Sequence, residues 1–177
     1  MKQVFTPLSF CLVCCALLAS CAAPADPTAM VPASVSISKK FNKSVLLGVT
    51  GGEETNKMAA SAVSNQDFAA ALQSTIEQHQ VFSRVIRSGS SDYRLDVRLI
   101  ELRRPMFGFN MTVTADVSWR VREVQSDRVV WQKNIKRPYT AAVSEAFVGI
   151  KRLRLANEGA IRENIKAGLE EISRLSL

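Results

Sequence analysis

The alternation of apolar and polar positions is strongest between residues 93 and 131. Tyr93, Leu95, Val97 and Leu99 alternate with Arg94, Asp96 and Arg98. Further on, Met111, Val113, Ala115, Val117, Trp119 and Val121 alternate with Thr112, Thr114, Asp116, Ser118, Arg120 and Arg122. A period of two sustained this long predicts strands with one covered and one wet face. Gln125, Ser126 and Asp127 form a short polar turn before Val129, Val130 and Trp131. The pattern predicts a hairpin that brings Trp119 and Trp131 near one another on the covered face.

On either side the period lengthens. Phe68, Ala71, Leu72, Thr75, Ile76 and His79 follow i, i+3, i+4, i+7 spacing, with Ser64 or Asp67 in position to cap the helix they predict. Between Asn157 and Leu175, the residues Ile161, Ile165, Gly168, Leu169, Ile172 and Leu175 form one stripe, while Arg162, Glu163, Lys166, Glu170 and Glu171 lie elsewhere. That predicts a closing amphipathic helix. Val35 and Ile37 alternate with serines, and the apolar run Val45 to Val49 stops at Thr50-Gly51-Gly52, so one strand or two are expected there. Glu53 to Val63 reads as a loop and Val81 to Ile86 as a short strand, while residues 143–156 follow no clear period. Two apolar helix stripes and a one-sided sheet must cover each other. The expected fold is therefore α+β, a two-layer sandwich whose mostly antiparallel sheet of four or five strands carries both helices on one face.

The N-terminus follows neither period. Lys2 is the only charge in the first twenty residues, and Val4 to Ala19 is apolar apart from Thr6, Pro7 and Ser9. A basic start, an apolar middle and small residues at the end mark residues 1–20 as a secretory signal. The apolar stretch falls short of the ~20 residues that span a bilayer. Its close, Leu18-Ala19-Ser20-Cys21, resembles the lipobox of bacterial lipoproteins. The resemblance implies a diacylglyceryl group on Cys21, cleavage before it and fatty acylation, such as palmitate, of the new N-terminus. Cys11, Cys14 and Cys15 leave with the signal, so the one remaining thiol is consumed by lipid rather than left free in an oxidising compartment. Two or three acyl chains anchor stably where one does not. Ala22 in place of Asp implies the outer membrane, with the domain in the periplasm. Residues 21–33 carry Pro24, Pro27 and Pro32 among small residues and read as the lipidated cysteine and a tether. Residues 34–177 read as a single domain.

The chain of 177 residues is 47% hydrophobic and 22% charged, which excludes a disordered tail, a collagen-like chain and a multidomain enzyme. Lys and Arg number 23 against 16 Asp and Glu, and loss of Lys2 leaves a formal charge of +6 with His79 neutral. In the periplasm that surplus favours anionic lipid, lipopolysaccharide, polysaccharide or an acidic protein, and not nucleic acid. On the wet sheet face, Arg94, Arg98, Arg120 and Arg122 are candidate contacts for phosphates or acidic sugars. The interleaved Asp96 and Asp116 favour cross-strand ion pairing instead. Pro105 to Phe109 joins two strands and is apolar where loops are normally polar. Met106, Phe107 and Phe109 are therefore candidate contacts for a partner or an acyl layer, unless they fold back to extend the core.

The same residues exclude most chemistry. With His79 the sole histidine and Cys21 lipidated, no Cys/His metal site is expected, and a Ser-His-Asp triad would hang on a histidine at a helix end. Gly51-Gly52 follows a strand as a phosphate loop does, but the lysine and hydroxyl are missing and Glu53-Glu54 repels phosphate. Glu170 and Glu171 are adjacent on a helix and point apart. Neither enzymatic activity nor a cofactor is expected.

Lipobox, proline-rich segment, strand and helix, the hairpin Trp119-Arg120-Val121-Arg122 to Arg128-Val129-Val130-Trp131, and a closing helix follow in that order. This order resembles that of small outer-membrane lipoproteins that assist envelope transport and assembly. They include auxiliary lipoproteins of ABC-type transport systems, LptE-like lipopolysaccharide-assembly lipoproteins and curli-secretion lipoproteins, with folds similar to the N-terminal domain of TolB. The resemblance spans Val45 to Leu175 as a pattern. It implies a non-enzymatic accessory subunit of an envelope transport, secretion or assembly complex. A lipid or lipopolysaccharide carrier is the alternative and needs an apolar cavity; a hydrolase needs a catalytic cleft.

Overall fold

The alternating segments become the long strands of one open, five-stranded sheet. In the computed structural model, which describes residues 23–53, 62–105 and 108–177, β1 is Phe41–Thr50, β2 Phe82–Ile86, β3 Tyr93–Arg103, β4 Met111–Glu123 and β5 Arg128–Ala141. The order across the sheet is β2-β1-β3-β4-β5. Two helices, α1 (Asn65–His79) and α2 (Gly149–Ile172), cover one face. The fold is the expected α+β two-layer sandwich.

The sheet is mixed. The longer ladders, β3 with β4 and β4 with β5, are antiparallel, whereas β1 runs parallel to both of its neighbours. The connection from β2 to β3 shows how so short a link serves parallel strands. β2 pairs with the first half of β1, Phe41 to Leu46, and β3 with the second half, Val45 to Thr50. The chain therefore crosses from one side of β1 to the other at mid-strand without having to return along its length. β5 is an edge, where Pro138 forfeits no hydrogen bond that an interior strand would need.

Ser64 begins α1. Its side chain accepts from the Asp67 backbone N–H at 3.0 Å and donates to the Asp67 carboxylate at 2.7 Å. Gln80 closes the helix in the left-handed region at φ 54°. The stripe of Phe68, Ala71, Leu72, Thr75 and Ile76 is buried, as its spacing predicts. On α2, Ile161, Ile165, Leu169 and Ile172 are fully buried. They lie over β4 and β5, whose inward side chains include Val113, Val117, Trp119, Val121 and Ile135. Helix and sheet approach closely because Gly159 stands against Tyr139 and Gly168 against Trp119. A Cβ on Gly168 would lie 2.6 Å from the indole. Trp131, opposite Val121, shares that face with Trp119 one pair away and is partly buried.

Three expectations change. Val35 and Ile37 form no strand; they lie partly buried along the core as the chain runs into β1. The closing helix starts at Gly149, eight residues before Asn157, and it ends at Ile172, so Leu175 packs from beyond the last turn. The segment read as a tether is itself part of the domain. Ala25 and Met30 are buried, Thr28–Met30 forms a turn of 3-10 helix, and the chain is fastened to α2 at several points. The Asp26 N–H donates to Glu158 Oε1 at 2.9 Å, Arg162 donates to the Ala29 carbonyl at 2.8 Å, and the Ser38 N–H donates to Ser173 Oγ at 3.0 Å. Composition suggested a spacer because prolines and small residues also suit an extended strap whose few apolar side chains fill gaps between α2 and its surroundings. The loop expected over Glu53 to Val63 falls for the most part outside the described residues.

Candidate functional site

The uncovered face of the sheet gathers the four arginines. Strand alternation places Arg94 and Arg98 on β3 and Arg120 and Arg122 on β4 on the side away from the helices. Arg94 Nε lies 2.6 Å from Asp96 Oδ1, and both side chains lean over Gly48 of β1. Arg122 pairs with Asp127 in the hairpin turn at 2.6 Å, and Arg120 donates to Gln132 at 3.0 Å. Asp116 meets Lys136 across the strands at 3.1 Å. Arg98 has no ion-pair partner among the described residues. It lines a shallow depression with Thr50, Asp96, Ile100, Ser118 and Arg120. Ion pairs thus neutralise Arg94 and Arg122, while Arg98 and Arg120, the latter bonded to the neutral amide of Gln132, leave two positive charges side by side in that depression.

The second candidate lies at one end of the sheet. Met111 opposite Ala141 is the last pair of the β4–β5 ladder, so the chain before β4 and the chain after β5 emerge at the same pole. Phe109 projects there with 87% of its surface exposed, and it does not fold back onto the core. Met106 and Phe107 lie outside the described residues. The turn after β5 adds side chains that the sequence pattern did not single out: Phe147 at 91% exposure, Val148 and Ile150. Their backbone is built, not loose. Arg152, itself buried, donates from Nη1 to the carbonyls of Ala146 at 2.6 Å and Phe147 at 3.0 Å, and Ala146 is buried beneath. Glu145 closes the turn by accepting from the Ala142 N–H and from the Tyr139 hydroxyl. The apolar run Ala146-Phe147-Val148-Gly149-Ile150 was the available signal. It was masked because Lys151, Arg152 and Arg154 follow it and break the helical stripe.

Other polar groups are engaged structurally. Asp92 accepts from the Ser44 N–H and hydroxyl at 2.7 and 2.6 Å, which holds its carboxyl below the usual range and ties the start of β3 to β1. Glu123 is lowered by the Ser126 hydroxyl in the hairpin turn. Glu158, buried between α2 and the N-terminal strap, is raised by that burial. Gly51 adopts φ 83° with the Leu99 carbonyl against it, so Gly51-Gly52 is a tight turn with no room for a side chain. Among the described residues no three His, Cys, Asp or Glu side chains converge as a metal site would require, and no helix is long and apolar enough to cross a membrane.

No family model matches the chain, and no curated protein sequence matches it. Solved structures do. A Xanthomonas campestris protein of the DUF330 family superposes with a TM-score of 0.63 at 11% identity, covering 80% of this chain and 90% of its own. The PelC dodecamer of Paraburkholderia phytofirmans gives 0.52 at 13% identity, covering 81% and 95%. A minor lipoprotein of Acinetobacter baumannii gives 0.50 at 10% identity, covering 75% and 93%. At these identities the likeness establishes the fold, one that bacterial lipoproteins share.

Proposed function

We propose that this chain is a lipid-anchored, non-enzymatic envelope protein, held to the outer membrane through Cys21, and that it serves as an accessory subunit of a transport, secretion or assembly system. The observation that carries this reading is the Leu18-Ala19-Ser20-Cys21 lipobox closing a secretory signal, joined to a fold also found in a protein described as a lipoprotein. The PelC likeness adds that this fold occurs in a subunit of a larger assembly. The order of features resembles that of the auxiliary lipoproteins of ABC-type systems, the LptE-like lipoproteins and the curli-secretion lipoproteins, all of which serve such systems.

The interior favours an accessory subunit over a carrier. Trp119, Phe68, Met30, Leu72, Ile76 and Leu95 are fully buried and occupy the space between helices and sheet where a lipid would have to lie. Cys21→Ser should leave the signal uncleaved by the lipoprotein-specific peptidase and shift the protein out of the outer-membrane fraction. Normal processing with unchanged outer-membrane fractionation would sink the anchor. Lipid extracted in stoichiometric amount from the purified Cys21→Ser protein would favour the carrier.

A further inference from the structure

The geometry points to a bilayer-docking pole: Phe109, Phe147, Val148 and Ile150 enter the surface of the membrane that carries the anchor, so that the domain stands on it in one orientation. This rests on the lipid-anchor reading and adds to it which end of the fold faces lipid. The first support is the display itself. Two phenylalanines at 87% and 91% exposure and two aliphatic neighbours at 55% and 44% are gathered at one end of the sheet. The turn bearing Phe147 is fixed by a buried arginine bonded to two of its carbonyls. A core that had room for Phe147 would have taken it; instead Ala146 points inward and Phe147 outward.

The second support is where the chain leads. The N-terminal strap touches α2 in rising order, Asp26 at Glu158, Ala29 at Arg162, Ser36 at Glu170 and Ser38 at Ser173. Strap and helix therefore run the same way, and the chain preceding Asp26 heads toward the start of α2, where Phe147, Val148 and Ile150 are. From Glu158 back to Gly149 the helix extends about 13 Å at 1.5 Å per residue. The five residues from Cys21 to Asp26 span at most about 17 Å. An anchor at Cys21 thus reaches the level of the exposed side chains with little slack. The opposite pole, with the Glu123 to Arg128 hairpin turn, is held away from the bilayer. Exposed Lys151 follows the apolar side chains in sequence, as suits phosphate headgroups, while Glu145 is occupied within the turn and Glu101 is paired with Arg103.

The mature chain has no free thiol once Cys21 is acylated, so single cysteines can report on position. The full lipidated protein carrying Phe109→Cys, Phe147→Cys or, at the far pole, Ser126→Cys is labelled with a polarity-sensitive fluorophore. It is then placed in phosphatidylethanolamine–phosphatidylglycerol vesicles with or without nitroxide-bearing lipid. Blue-shifted emission and nitroxide quenching at 109 and 147, with neither at 126, are expected. Replacing Phe109 with Ser should reduce quenching at 147 while leaving the thermal melt unchanged. Aqueous, unquenched probes at 109 and 147 on a protein shown by mass to be acylated overturn the docking pole and leave the anchor standing. A blue shift that follows protein concentration and ignores nitroxide overturns it in favour of a second copy. A mass without acyl chains overturns the anchor and, with it, the docking pole.

Discussion

Asn164 does for the helix–sheet interface what no apolar residue can. Fully buried on α2, it accepts from the Trp119 indole N–H at 2.9 Å and donates to the carbonyls of Ile135 at 2.8 Å and Ala115 at 3.2 Å. One amide thereby joins α2, β4 and β5 and satisfies every group that it meets. Truncating it strands an indole donor in an apolar interior. Asn164→Ala should cost about 2–5 kcal/mol, since each buried orphan is worth roughly 1–3 kcal/mol and a small void is added. Urea unfolding reads this directly, and a loss below about 0.5 kcal/mol would mean that the network is dispensable. Residues of this kind mark the limit of what pattern discloses. Ile161, Ile165 and Leu169 are legible because burial of apolar side chains imposes a period. Asn164, Glu158 and Arg152 occupy inward positions with polar side chains, and each one's partner is set by the tertiary fold rather than by local pattern.

At the scale of elements, the strands with one wet face were legible and the strap was not. Alternation in β3 and β4 survives in the burial pattern residue by residue, apart from the irregularity after Leu99. The parallel setting of β1 carries no such signature, because pairing direction depends on neighbours far along the chain. The N-terminal strap is hidden for a different reason: it has no period, and it is held by backbone groups whose partners lie more than a hundred residues away. Glu158 is one of these partners, and it supplies a pH signature. Burial raises its carboxyl above the ordinary value of 4.5. Between that value and the raised one, the folded chain keeps a proton that the unfolded chain has released. Its contribution therefore weakens the fold as pH rises through the window and is constant above it. Glu158→Gln keeps an acceptor for the Asp26 N–H and has no proton to lose. Relative to the parent, the variant should gain stability between pH 4 and pH 7. Asp92, lowered, acts in the opposite direction at lower pH but is common to both proteins. Urea melts at the two pH values with the same offset would exclude this role for Glu158.

For the whole molecule, the strap changes where the domain begins and, on the proposed anchor at Cys21, how far it would stand from the lipid. A flexible tether over 21–33 would let the domain range far from the lipid. With Ala25 and Met30 buried, only a few residues separate Cys21 from packed structure, so the proposed anchor would hold the domain close. Under that proposal the same segment would carry both stability and orientation. Met30 is completely inaccessible, and the strap covers Glu158, which accepts from the Asp26 N–H, while Tyr139 of β5 covers the neighbouring Gly159, so that successive α2 residues are buried on more than one face. A protein beginning at residue 34 loses Met30, Ala25 and the cover over Glu158 and Arg162. Compared with one beginning at residue 23, it should be less stable by about 3–6 kcal/mol, a methionine-sized deletion from a core plus unmatched polar groups. Its first amides to exchange should be those of α2 around Asn157 to Arg162, ahead of the β4–β5 ladder. Unchanged denaturant midpoints and unchanged exchange in that part of α2 would return residues 23–33 to the role of a spacer, free of the helix they lie on.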